Sequence, residues 1–198
     1  ILEAEGVIRE KGCVSRYLKR QTARGYHACD LVVDIGPCMR ERLSAYHPSR
    51  TATLPPWALW EPDKLSSPSE SERQKLFGPS RLGILYSGNF GRAHNAEDFI
   101  SLARELLPED TRFCFAIRGN RAGELCQTIQ TEALPNIRLA EFAAEKDIGT
   151  RLSAADILMV SLKQDWTGTV VPSKFFGALA AGRPVLFAGS NNSSIARW

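Results

Sequence analysis

Residues 82–118 read LGILYSGNFGRAHNAEDFISLARELLPEDTRFCFAIR, and this stretch decides the fold. Residues 82–87 and 112–117 are apolar runs of strand length, and residues 95–107 between them carry apolar side chains at helical spacing. The alternation continues towards the C-terminus. Further helices are predicted over 122–133, 145–153 and 172–181, and further strands over 137–140, 156–162 and 184–188. Strands that alternate with helices predict an α/β fold in which a parallel sheet has helices on both faces.

The sequence before residue 82 is less regular. It predicts a basic helix over residues 3–24, a buried strand over 28–35, a short helix over 37–46 and a short strand over 51–54. Seven of the eleven prolines lie between Pro37 and Pro79, which is typical of a connecting segment. We therefore predict the end of a first domain at residues 1–50, a linker at 51–80 and a second domain at 81–198. We expect the chain to be a segment of a longer protein, with the second domain truncated at its C-terminus.

Composition excludes several classes of protein. The 25 Lys and Arg against 22 Asp and Glu leave a net charge of +3, too even for a protein that coats nucleic acid. No apolar run approaches the about 20 residues of a membrane span, and no signal peptide is recognisable. The five cysteines are scattered and the three histidines stand far apart, so we predict free thiols and no metal site. These features favour a cytoplasmic protein.

Ligands of open parallel sheets bind beyond the carboxyl ends of the strands, so the residues there are the candidates. After the first strand come Gly88, Asn89, Arg92 and His94. A glycine-containing turn before a helix N-terminus, with an arginine beside it, suits a phosphate group. The alternative is an ordinary turn with a surface arginine.

Two further turns at carboxyl ends carry polar residues. Gly119 and Asn120 follow the next strand, and Asn120 could either read a nucleobase edge or cap the following helix. A third stretch, residues 163–174, begins at Lys163 and leads into a helix whose predicted first turn holds Pro172, Ser173 and Lys174. A lysine at a helix N-terminus opposes the helix dipole, which favours a bound anion, although a solvated surface lysine is the alternative. Together the three turns suggest a ligand with a diphosphate group.

Several of these segments carry a family likeness. They are LYSGNFGRAHNAEDF (85–99), FAIRGN (115–120), LSAADILMVSL (152–162) and TGTVVPSKFFGALAAGRPVLFAG (167–189). They resemble the C-terminal, donor-binding half of GT-B glycosyltransferases, and most closely the retaining group 1 (family 4-like) enzymes that build bacterial surface polysaccharides. ACDLVVDIGPCMRERL (28–43) is similar to the last Rossmann-like unit of the N-terminal domain in such enzymes, and LPPWA (54–58) to their interdomain linker.

The resemblance implies a Rossmann-like nucleotide-sugar-binding domain and assigns roles to its residues. It implies that Gly88, Asn89 and Arg92 hold the donor pyrophosphate and that residues 118–120 lie near the base, with Gly119 and Asn120 among them. The remaining implied donor-binding residues are His94, Lys163, Val171, Pro172, Ser173 and Lys174. It also implies catalytic roles for Thr169 and Lys174, with no metal ion and no cofactor besides the donor itself. The glutamate pair of such enzymes would fall at Thr169 and Gly177, so both acids are absent here.

The implied function is the transfer of a glycosyl group from a nucleotide sugar to a sugar or lipid-linked acceptor, with retention of configuration. Because both domains of such an enzyme contribute to the reaction, we expect this chain alone to be inactive. Two alternatives stay open: an inactive nucleotide-binding module on the same fold, and a nucleotide-sugar epimerase. Residues 9–24 combine basic and apolar side chains and could touch anionic lipid at the inner face of the membrane, or form an ordinary solvated helix.

Overall fold

The computed structural model describes residues 2–3, 6–9, 11–58 and 68–198. The chain divides into two compact units. The first unit comprises Ile1–Pro56, Leu162–Val171 and Gly189–Trp198, and the second comprises Trp57–Ser161 and Pro172–Ala188.

The regular elements follow the alternation predicted from the sequence. In the described ranges the α-helices are α1 (Cys13–His27), α2 (Pro37–Ser44), α3 (Glu70–Phe77), α4 (Glu97–Glu105), α5 (Ala122–Glu132), α6 (Ile148–Ser153), α7 (Lys174–Ala180) and α8 (Ser194–Arg197). The strands there are β1 (Val32–Asp34), β2 (Thr51–Thr53), β3 (Leu82–Asn89), β4 (Thr111–Arg118), β5 (Ile137–Leu139), β6 (Ile157–Leu162) and β7 (Val185–Gly189). No helix in the described ranges has both the length and the hydropathy that a membrane span requires.

The second unit is built on a sheet with the strand order β5-β4-β3-β6-β7. Strand β3 lies at its centre and pairs in parallel with β4 over its whole length, from Leu82 opposite Thr111 to Asn89 opposite Arg118. It also pairs in parallel with β6, and β4 pairs in parallel with β5. The predicted α/β fold with a parallel sheet is confirmed.

Side chains of the central strands alternate between two cores. Ile84 and Tyr86 of β3 pack with Phe113 and Phe115 of β4 against α4 and α5, where Phe99 is buried. The side chains that point the other way form a second core. It contains Leu76, Phe77, Leu85, Cys114, Ala116, Leu152, Leu158 and Ala178, from α3, α6, α7 and the strands. Because β3 is covered on both faces, its sequence is apolar at consecutive positions instead of alternating with polar residues.

Helix α3 lies in the stretch predicted to be a linker, and the sequence did not predict it. Its N-cap Ser69 accepts a hydrogen bond from the backbone N–H of Glu72. Arg73 ties the helix to the sheet: it donates to Asp156 at 2.8 Å and to the carbonyl of Ser80 at 3.1 Å. Asp156 in turn accepts from the backbone N–H of Gly83 at 2.7 Å. The linker assignment for 51–80 stays a prediction, although β2 and α3 are regular elements within it.

The first unit contains a two-stranded parallel sheet in which Val32 pairs with Thr51. The buried Asp34 at the end of β1 accepts hydrogen bonds from the Thr53 hydroxyl at 2.7 Å, Arg40 Nε at 3.0 Å and the Gly36 N–H at 3.1 Å. Burial raises the pKa of Asp34, but these hydrogen bonds outweigh it and hold the pKa below its ordinary value. The carboxylate thus joins β1, α2 and β2.

The predicted helix over residues 3–24 is wrong at both ends. Helix α1 begins at Cys13, after Lys11 with a positive φ of 62° and Gly12 in an extended conformation, and it continues to His27. Strand β1 is shorter than the strand predicted over 28–35, because within this range only Val32–Asp34 pairs with another strand.

Gly83 is expected to be essential for packing in the second unit. A Cβ at this position would lie 2.6 Å from two atoms of the buried Phe77 ring. We expect Gly83→Ala to destabilise the protein by about 1–3 kcal/mol, because a fixed ring and a central strand leave little room to adjust.

Gly123→Ala is the matched control, because a Cβ on Gly123 in α5 meets no atom within 4 Å. It should leave stability unchanged or raise it by about 0.5–1 kcal/mol through helix propensity. Urea denaturation of both variants measures the difference, and equal midpoints would contradict the packing argument.

Candidate functional site

A cavity of about 920 Å³ opens in the second unit at the carboxyl ends of β3 and β4. Its lining consists of Leu85, Ser87, Gly88, Asn89, Arg118, Phe142, Ala143, Ala144, Glu145, Ile148, Leu152, Leu158, Met159, Ser173, Lys174 and Gly177. The lining combines apolar side chains with polar and charged groups from the strand ends and from the start of α7. This size and this composition are typical of a site for a small organic ligand.

Lys174, the first residue of α7, brings a cation into the cavity. Its Nζ donates to the carbonyl oxygen of Asn89 at 2.7 Å and lies 3.3 Å from Nε2 of His94. The ammonium also lies 5.2 Å from the centre of the Tyr86 ring. Burial lowers the pKa of Lys174 to about 8, so the group is mostly charged at neutral pH.

Two glycines allow the backbone and Lys174 to come this close. Gly88 has a φ of 139°, and a Cβ there would lie 2.6 Å from Cε of Lys174. Gly119 has a φ of 119°, and a Cβ there would collide with Oδ1 of Asn89 and lie 2.8 Å from the carbonyl oxygen of Phe90. Both positions therefore require glycine, for backbone conformation and for space.

Hydrogen bonds join the loops that follow β3 and β4. The N–H of Phe90 donates to the carbonyl of Arg118 at 2.6 Å, and the N–H of Arg121 donates to the carbonyl of Phe90 at 3.2 Å. The Arg118 guanidinium lies over the Phe142 ring, 4.2 Å from its centre, and both residues line the cavity. This part of the cavity presents a planar cation on an aromatic ring.

His94 lies just outside the lining, behind Lys174. Its Nδ1 is 2.8 Å from the carbonyl oxygen of Ser161. Burial, followed by the positive charge of Lys174, lowers the pKa of His94 to about 4. The imidazole is therefore neutral at physiological pH.

The structure brings some of the predicted site residues together and leaves others apart. Gly88, Asn89, Ser173 and Lys174 line the cavity. Gly119 packs against Asn89 but does not line the cavity. The lining also does not include Arg92, Asn120 and Pro172. Lys163, Thr169 and Val171 belong to the first unit. The ligand contacts assigned to all of these residues stay predictions.

The helix starts around the site exclude one of the two roles left open for Asn120 and correct the predicted position of Pro172. The N-cap of α5 is Arg121, which has no side-chain capping bond, so Asn120 does not cap this helix. Helix α7 starts at Lys174 with Ser173 as its N-cap, so Pro172 precedes the first turn.

Sequence reasoning missed the wall formed by residues 142–145, which includes Phe142 and Glu145. These residues follow β5, and their position after a strand was the available signal. Of the lining residues, Arg118, Lys174 and Glu145 carry charges. In the ranges that the structure describes, no group of three or more His, Cys, Asp or Glu side chains is arranged to hold a metal ion.

A comparison with profiles of known protein families finds no match. Among curated proteins, the chain is 28% identical over 205 aligned positions to a Pseudomonas aeruginosa protein named probable glycosyltransferase WbjE. The alignment takes in 97% of this chain and 49% of that protein. The chain thus spans about half the length of the relative it matches.

Solved structures show the same fold. Anabaena HepE, crystallised with UDP, matches with a TM-score of 0.66 at 15% identity, over 96% of this chain and 52% of HepE. A glycosyltransferase from Rickettsia africae matches with a TM-score of 0.61 at 14% identity, over 88% of this chain and 48% of that one. The pneumococcal O-GlcNAc transferase GtfA, bound to UDP and GlcNAc, matches with a TM-score of 0.58 at 15% identity. This match covers 87% of this chain and 32% of GtfA. The resemblance to GT-B glycosyltransferases is confirmed.

Two glycines of the cavity should respond differently to the same substitution. Gly88→Ala combines a strained φ with a contact on Lys174, and we expect it to destabilise the protein by about 1–3 kcal/mol. Gly177→Ala places its Cβ 3.5 Å from Cδ1 of Leu152, an ordinary contact, inside helix α7. It should be neutral or stabilise the protein by about 0.5–1 kcal/mol. Urea denaturation measures both, and a Gly177→Ala variant less stable than Gly88→Ala would refute this description of the cavity.

Proposed function

We propose that this chain is the nucleotide-sugar-binding half of a glycosyltransferase and that the donor diphosphate binds at Lys174. One observation carries the proposal: a half-buried ammonium at the carboxyl end of the central strand, held by the Asn89 carbonyl in a cavity of about 920 Å³. Burying a cation is unfavourable unless a partner compensates it, and an anionic ligand would do so. The relative named as a glycosyltransferase and the fold neighbours that bind UDP support this assignment.

The platform of Arg118 over Phe142 is our proposed place for the nucleobase. A guanidinium stacked on a ring offers a flat surface about the size of a base, and it lines the same cavity as Lys174. With the diphosphate at Lys174, the donor sugar would lie beyond it. The proposal needs no metal ion, since the leaving diphosphate is stabilised by fixed positive groups.

The finer parts of the proposal rest on the resemblance. They are retention of configuration, a catalytic role for Thr169, and a sugar or lipid-linked acceptor. Thr169 is a candidate because its Oγ1 is buried without a hydrogen-bond partner among the described residues. We further propose that the chain alone binds donor without turnover, since an acceptor site is needed to complete the reaction. An inactive module remains the second candidate, favoured by Thr169 and Gly177 standing where such enzymes carry acids.

Membrane contact through residues 9–24 is a separate proposal, supported by helix α1. Val14 and Tyr17 are 58% and 61% exposed, and the same helix carries several basic side chains. Exposed apolar and basic groups on one helix are suited to a surface of anionic lipid.

Removing the Lys174 ammonium should weaken nucleotide binding. A charge-assisted hydrogen bond contributes about 1.5–3 kcal/mol, so we expect Lys174→Ala to raise the Kd for UDP by about 10- to 100-fold. Calorimetric titration with UDP, GDP and ADP measures the affinity and identifies the base.

Lys75→Ala is the control, because the Lys75 side chain is 76% exposed and lies in α3, away from the cavity lining. It should bind UDP like the unchanged chain. No binding of any nucleoside diphosphate, or equal affinities in the Lys174 and Lys75 variants, would overturn the proposed function.

The affinity for UDP should depend on pH through Lys174. Its pKa of about 8 means that the ammonium loses its proton as the pH rises through this value, while the diphosphate keeps its full charge above about pH 7.5. The affinity should therefore begin to fall near about pH 7.5 and continue to fall towards about pH 9. Lys174→Arg keeps its charge over this range, so its profile should be flat. A wild-type affinity that does not fall above pH 8 would show that Lys174 does not bind the diphosphate.

A further inference from the structure

A series of hydrogen bonds connects Ser161, His94, Lys174 and Asn89 beside the cavity. The carbonyl oxygen of Ser161 lies 2.8 Å from Nδ1 of His94, and Nε2 of His94 lies 3.3 Å from Nζ of Lys174. Nζ also contacts the carbonyl oxygen of Asn89 at 2.7 Å. Two carbonyls, one imidazole and one ammonium therefore form a continuous series.

The donors and acceptors of this series can be assigned from chemistry alone. A carbonyl oxygen only accepts hydrogen bonds, so Nδ1 of His94 must carry the proton. A doubly protonated ring would place two positive charges 3.3 Å apart in a buried place, which is strongly unfavourable. Nε2 therefore carries a lone pair and accepts a hydrogen bond from the ammonium of Lys174. The lowered pKa of His94 agrees with a neutral ring.

We propose that His94 is a positioning residue that holds the Lys174 ammonium in place for an anionic ligand of the cavity; this rests on the proposed function. The Ser161 carbonyl selects the tautomer, and the tautomer provides the acceptor. Two of the three N–H groups of Lys174 are then taken by Asn89 and His94, and the third is left for the ligand.

Restraining a flexible lysine before the ligand binds increases the affinity. Its four-carbon stem has many rotamers, and ordering them on ligand binding lowers the affinity. His94 restrains the head group before the ligand arrives, so less entropy is lost on binding. His94 itself is not among the residues that line the cavity, so its effect on a ligand passes through Lys174.

The ring of His94 also packs, and the test must separate packing from hydrogen bonding. Its ring stacks near Phe90, with centres 6.1 Å apart and an angle of 29° between the planes. His94→Phe keeps an aromatic ring and removes both nitrogens. His94→Gln loses the ring but offers an amide that can donate to Ser161 and accept from Lys174. If His94 acts through packing, the Phe variant should bind UDP more tightly than the Gln variant. If it acts as a positioning residue, the Gln variant should bind UDP more tightly.

The experiment measures the Kd of UDP for the full chain and for these two variants by calorimetry, with the exposed His27→Gln as control. We expect the Kd to rise about fivefold to tenfold in His94→Phe and to stay within about twofold in His94→Gln and in the control. In a Lys174→Ala background, His94→Phe should have no further effect. Melting curves followed by circular dichroism check that each variant is folded.

The outcomes distinguish the two proposals. No UDP binding by the unchanged chain would overturn the proposed function. Binding by the unchanged chain with an unaltered Kd in His94→Phe, or a His94→Phe effect that persists with Lys174→Ala, would overturn the positioning role alone. ¹⁵N NMR of the ligand-free chain gives an independent readout: we expect the His94 proton on Nδ1 at pH 7, and a proton on Nε2 would also overturn the role.

Discussion

The burial of β3 on both faces is the constraint on which the second unit depends. A strand with apolar neighbours above and below must have helices on both sides, and the two cores around Tyr86 and Leu85 fill these layers. At the carboxyl end of β3, Ser87, Gly88 and Asn89 still pair with β4 and also line the cavity. The cavity thus lies where ligands of open parallel sheets bind, at the carboxyl ends of the strands.

The buried cation is a consequence of that geometry. Lys174 begins α7, whose Ala178 packs in the second core, and its side chain lies against Gly88 at the end of β3. Burial destabilises its charge, and a carbonyl, an imidazole lone pair and the face of Tyr86 offset part of this effect. Because the helix dipole also opposes a cation at this end, the remaining imbalance is removed most directly by an anion. This imbalance is the physical basis of the proposed diphosphate site.

The sequence predicted the parts of the fold that depend on local periodicity. The strands at 82–87 and 112–117 and the helix at 95–107 correspond to β3, β4 and α4, because apolar spacing follows burial directly. It missed α3, whose anchor Arg73 depends on Asp156, a residue 83 positions away. The proline-rich surroundings of α3 favoured a linker instead. Short elements such as β1 are set by their partner strand, which local sequence does not contain.

The site was predictable in its parts and not in their connections. Gly88 and Lys174 were each predicted to bind an anion, because glycine turns and helix starts have local signatures, and both line the cavity. The contact between Lys174 and His94 joins the start of α7 to a loop 80 positions earlier in the chain, and the strand order brings the two together. Phe142 lines the cavity because β5, which precedes it, pairs with β4, and this pairing could not be predicted from the sequence.

The charges of the cavity also limit the chemistry that it can support. Its lining carries two cations, Arg118 and Lys174, and the single carboxylate of Glu145. General acid and base catalysis by paired carboxylates needs two such groups, and Gly177 offers no side chain for one. A fixed ammonium, by contrast, stabilises the charge that develops on a departing diphosphate and does not need to exchange a proton. Under the proposed function, the contribution of this lining to the departure of an anionic leaving group would therefore be mainly electrostatic.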